Sequence, residues 1–127
     1  MDGYHPFLDI SEAQTYVDYI QTFKWWPLDV VIKVRRGYTQ GAESGVEKKP
    51  WGFLITLGTG DATEGMVIHE LGHIIAWHEA DKKHHEHGKE FIRATLLIMK
   101  NMTRDVRFRL YVDALREAGV PVDECLP

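Results

Sequence analysis

The chain has 127 residues, 44% of them hydrophobic and 27% charged, with a formal net charge of −4. That size and mixture give one globular domain with a real core, and the acidic balance argues against nucleic-acid binding through the whole surface. A single cysteine, Cys125, excludes an internal disulfide framework and a zinc ribbon built from this chain's own cysteines.

The opening Met1-Asp2-Gly3-Tyr4-His5-Pro6 lacks the basic and apolar runs of a signal peptide. No apolar run reaches membrane length, so the expected location is the cytoplasm. Ser11-Glu12-Ala13-Gln14 fits a capping box, and Ala13, Tyr16, Val17, Ile20 and Phe23 recur at helical spacing. A first helix is expected from about 12 to 24, ending before Pro27. At least one of Trp25 and Trp26 is expected in the core. Residues 28–35 alternate as a half-buried strand, with Leu28, Val30, Ile32 and Val34 on one face. Residues 37–50, rich in Gly, Ser and Lys, read as a loop or a ragged hairpin. Trp51, Phe53, Ile55 and Leu57 alternate in a second clear strand over 51–57.

A helix from about 62 to 79 follows, capped by Asp61 or Thr63. It carries His69-Glu70-Leu71-Gly72-His73. Residues four apart on a helix lie one above the other, so His69 and His73 can offer two imidazoles to one metal ion. Glu70 projects about 100° round the axis, beside the metal rather than on it, where it can take a proton from water. The surrounding Met66, Val67, Ile68, Leu71, Ile74, Ile75, Ala76 and Trp77 make the helix apolar on most of its circumference. Ionisable groups are costly in such a helix, and shared metal binding explains them. A third helix is expected from about 88 to 101, with Phe91, Ala94, Thr95, Ile98 and Met102 inward. A fourth, about 104 to 118, is expected to turn Val106, Leu110, Ala114 and Leu115 inward, with Gly119 in the left-handed position after its end.

A hydrolytic zinc site takes three protein ligands and keeps one position for water. The candidates for the third are His78, Glu79, His84, His85, His87 and Glu90. Glu79 stands where the long metzincin signature puts its last histidine, but Ala76 replaces the turn-making glycine of that signature. Glu90 would serve in enzymes that use a glutamate from a second helix. His87, just ahead of the third helix, is the preferred ligand, with a swap among His84, His85 and His87 left open. Tyr111, Arg93 and His78 are candidates to stabilise an oxyanion, and the sequence does not choose among them.

His-Glu-Leu-Gly-His at 69–73 followed by His-Gly-Lys-Glu-Phe at 87–91 resembles the SprT-like (Spartan-type) family of zincin metalloproteases. That family pairs His-Glu-x-x-His with a later His-Gly-x-x-Phe-type motif whose histidine is the third zinc ligand. The likeness covers about 50 to 102, including the strand Gly52-Phe53-Leu54-Ile55-Thr56-Leu57. It implies Zn²⁺ held by His69, His73 and His87, with Glu70 as general base. The fold it implies is α+β and zincin-like: one domain over 1–127, with a small, mostly antiparallel sheet packed on the active-site helix and about three further helices. The Cys-rich ribbon of bacterial members and the DNA- and partner-binding tails of animal members have no counterpart in this sequence, so the likeness is to the catalytic core.

The function expected is therefore a zinc-dependent metallopeptidase acting on a protein or peptide, with the strand at 51–57 offering its edge to the substrate. Two alternatives compete with it. One is a non-catalytic module stapled by zinc. The other is a protease acting on DNA-bound proteins, with Lys33, Arg35, Arg36, Lys48 and Lys49 forming a local positive face.

Overall fold

The computed structural model describes residues 7, 9–37, 43–80 and 88–127. The elements run α1 (Ile10–Ile20), β1 (Val31–Arg36), β2 (Gly45–Lys49), β3 (Gly52–Leu57), α2 (Glu64–Ala80), α3 (Lys89–Met102), α4 (Asp105–Glu117) and a final 3₁₀ turn (Val122–Glu124). By its contacts the chain divides into two compact units, Met1–Glu70 and Leu71–Pro127, with the division inside α2. Among the described residues no helix is long and apolar enough to cross a membrane.

In the first unit, α1 is capped by Asp9, whose Oδ1 accepts from Glu12 N at 2.8 Å. The helix thus starts before the expected Ser11 cap. An aspartate cap adds a full negative charge at the positive end of the helix, which serine cannot supply. α1 ends at Ile20 rather than near 24. Beyond it the chain tightens into three-residue turns, Thr22 N to Tyr19 O and Phe23 N to Ile20 O. Of the tryptophan pair, Trp26 is buried and Trp25 partly exposed.

The sheet order is β1-β3-β2, with β1 parallel and β2 antiparallel to β3. It is a mixed sheet, not the mostly antiparallel one expected. The ragged hairpin proves to be β2–β3, and β1 joins the far side of β3. Ile32, Val46, Phe53, Ile55 and Leu57 are buried, in the alternation expected of a one-sided sheet. Trp51 lies just outside β3 and is 47% exposed.

β3 is hydrogen-bonded on both sides, so it has no edge for a substrate strand, contrary to expectation. The edge of β1 is occupied as well. Gln14 of α1 donates to Ile32 O at 2.9 Å and accepts from Val34 N at 2.7 Å, and Gln21 donates to Val30 O at 2.7 Å. A side-chain amide here does the pairing of a neighbouring strand. The cations of the sheet are split between its two faces. Lys33, Arg35 and Lys49 share the face of Leu54 and Thr56, whereas Arg36 and Lys48 have the register of the buried face. Glu47 sits 3.5 Å from Arg35 and 3.6 Å from Lys49, which offsets the charge on the first of these faces.

In the second unit, Ala76, Phe91, Ile92, Leu96, Val112, Val122 and Cys125 form a core cluster, and Phe108, Tyr111, Leu115 and Val120 pack against it. Each large apolar side chain buried this way contributes roughly 1.5–3 kcal/mol. The inward face of α4 differs from the one expected: Val106 and Leu110 are 61% and 64% exposed, and Ala114 is exposed too. α4 ends as its sequence indicates. Gly119 has φ +84°, Gly119 N donates to Arg116 O at 3.0 Å, and Val120 N donates to Leu115 O at 3.0 Å, which together make a Schellman motif.

Candidate metal centre

The centre is built on α2. Its N-cap is Thr63, whose hydroxyl accepts from Met66 N at 3.2 Å. Glu64 in the first turn accepts from the Tyr16 hydroxyl at 2.7 Å, which ties the helix start to α1 within the first unit. Asp61, the other expected cap, instead accepts from the Ser44 hydroxyl at 2.7 Å.

Between Gly65 and Trp77, α2 is buried except at Met66, His69, His73 and Trp77, which are partly exposed. Those four recur at intervals of three, four and four residues, so they form one stripe along the helix. Both imidazoles therefore stand on the open face of a helix that is otherwise closed to water. Glu70 lies beside the stripe and is buried, at 4% exposure, with Oε1 3.9 Å from His69 Nε2. The carboxylate is thus withdrawn from water and stands next to an imidazole.

Gly72 and Phe91 set the second imidazole. A Cβ on Gly72 would lie 2.6 Å from Thr95 Oγ1 and 3.1 Å from the Phe91 ring, so the glycine is what lets α3 approach α2 this closely. The Phe91 ring then meets His73, with centroids 4.4 Å apart and planes inclined by 34°. The Thr95 hydroxyl is held in place by donating to Phe91 O at 2.9 Å. Gly72→Ala is expected to destabilise the fold by about 1–3 kcal/mol through overpacking, despite the better helix propensity of alanine. Gly72→Ala/Thr95→Ala removes the clashing oxygen and should recover part of the loss, read as the midpoint of urea unfolding. Equal midpoints for Gly72→Ala and the parent chain would disprove the close contact.

The first turn of α3 is anchored on its other side by the C-terminal segment. Lys89 Nζ lies 2.7 Å from Glu124 Oε2, and Cys125 Sγ lies 3.8 Å from Lys89 O. The hydrogen bond and the charge of Glu124 hold the Lys89 ammonium above its usual pKa. Gly88, the N-cap of α3, has no side chain to cap with. A cavity of about 310 Å³ lies beside this turn, with Ile92, Val120, Pro121 and Cys125 among its lining residues.

Of the expected site residues, His69, Glu70 and His73 all lie on α2. His87, His84 and His85 lie outside the described residues. Among the described residues no group of three His, Cys, Asp or Glu side chains converges as metal ligands. Glu79 and His78 are exposed on the last turn of α2, and Glu90 and Arg93 are exposed on α3. Tyr111 packs on the core cluster of the second unit. Two imidazoles at helical spacing with a buried carboxylate between them suit a divalent ion of borderline softness such as zinc.

Sequence reasoning missed the Phe91–His73 contact and the role of Gly72. The signal for the second was present: a glycine in a helix interior costs about 1 kcal/mol relative to alanine, so something close must require it. Comparison with protein-family models, curated proteins and solved structures finds no match for this chain.

Proposed function

We propose that the chain is a zinc-dependent metallopeptidase, of the minimal zincin type that its SprT-like motifs suggest. The observation that supports this most is the open stripe of α2, with His69 and His73 on it and the buried Glu70 carboxylate beside it. His69 and His73 would hold the ion together with His87, which is bonded to Gly88 at the head of α3. Zinc, when bound there, would supply Lewis acidity that lowers the pKa of water to about 7 and polarises a carbonyl.

Glu70 takes a proton from the attacking water as the oxygen–carbon bond forms at the peptide carbonyl. It then passes that proton to the amine as the carbon–nitrogen bond breaks. Phe91 packs on the His73 ring and would restrict its reorientation. An extended substrate would pair with β2, whose outer edge carries no strand among the described residues.

The test is hydrolysis of an unfolded protein by the purified chain with zinc. Cleavage should stop when a chelator removes the metal and return when zinc is restored. Tight zinc binding with no cleavage of a degenerate peptide mixture would reject the hydrolase and favour a zinc-stapled binding module.

A further inference from the structure

The open stripe of α2 does not stop at the two histidines. Its next member is Trp77, one turn beyond His73, and its first is Met66, just before His69. Apolar groups therefore flank the imidazoles at both ends. Trp77 is partly exposed, while its neighbours Ile74, Ile75 and Ala76 are buried. His78 and Glu79, which follow it, are exposed and polar. The indole is thus an apolar group partly open to water at the edge of the face that bears the candidate metal ligands.

We propose that Trp77 is a specificity-determining residue that receives an apolar or aromatic side chain of the peptide substrate. The inference rests on the metallopeptidase reading for the identity of the ligand. Four residues of helix place Trp77 roughly 6 Å along the axis from His73, at ~1.5 Å per residue. An extended peptide advances ~3.3 Å per residue, so a substrate held over the imidazoles meets the indole about two residues from the bond under attack. Helical side chains lean toward the N-terminus, and the indole accordingly covers the turn on the His73 side of its own Cα. An indole face offers area and edge-to-face contact to another ring or a branched aliphatic chain. An acidic side chain at the same place gains no such contact.

The experiment measures binding, so it does not depend on turnover. Glu70→Gln chain, supplied with zinc, is titrated against two fluorescent peptides identical except for Leu or Asp at the position two residues from the central bond. A preference for the Leu peptide of about tenfold or more is expected, as for an apolar pocket discriminating a few methylenes. The same preference should fall to within about twofold in Glu70→Gln/Trp77→Ala and persist in Glu70→Gln/Trp77→Phe, with zinc content equal in all three. Trp77→Gln, which keeps a long side chain but lacks the ring, provides a second loss variant should the alanine variant misfold. A Leu preference that survives the loss of the ring would overturn the proposal, and so would failure of both peptides to bind the parent. Hydrolysis by the chain with Glu70 intact is scored separately. Its absence would reject the peptidase reading, while the peptide preference would still decide the role of Trp77.

Discussion

Glu70→Gln is expected to leave zinc binding intact while lowering peptide hydrolysis by about 10²–10⁴-fold, the range lost with a general base. The two side chains are nearly the same size, so the buried site beside His69 is refilled without a cavity. Glutamine cannot accept the proton of the attacking water, nor carry it to the departing amine. A neutral amide is also cheaper to keep from water than a carboxylate, so thermal stability should hold or rise. That combination of retained metal, retained or higher melting temperature and lost turnover separates a chemical role from a structural one. A variant that hydrolyses peptide at the parent rate would remove Glu70 from the mechanism. One that loses zinc as well would make the carboxylate a support for His69 instead.

The helix proposed to carry this chemistry is legible because two independent patterns coincide in it. The i, i+4 histidines fix a face, and the apolar residues around them show that the rest of the helix is closed. The same spacing did not decide α4. Its sequence holds two apolar stripes, Val106-Leu110-Ala114 and Phe108-Tyr111-Val112-Leu115, whose first members differ by two residues and hence by about 200° round the axis. Burial goes to the second, which contains two aromatic rings and so removes more apolar area from water. Strand alternation likewise predicted which side chains of β1 and β3 turn inward but not which strand lies beside which. Parallel pairing of β1 with β3 is a long-range choice, and Gln14 of α1 takes the other edge of β1. A backbone edge satisfied by one side-chain amide 18 and 20 residues away leaves no periodic trace in the sequence.

Removing His87 tests whether the second motif belongs to the same centre as the first. The motif's phenylalanine, Phe91, lies against His73 with ring centroids 4.4 Å apart. Gly88 caps the helix that carries Phe91, and His87 is the residue before it in sequence. The ion pair of Lys89 with Glu124 and the burial of Cys125 hold that first turn in place. His87→Ala should therefore lower zinc affinity by more than the ~10–100-fold that loss of an outer-shell partner costs. His84→Ala and Glu90→Ala should each stay within that smaller range, because Glu90 is exposed and turns its carboxylate back toward Gly88. Competition with a chromophoric chelator gives the three affinities, and X-ray absorption counts the imidazoles that remain. Three imidazoles in the parent chain and two in His87→Ala would establish the ligand set. Equal affinities across the three variants would detach the 87–91 motif from the metal, and with it the likeness to the SprT-like catalytic core.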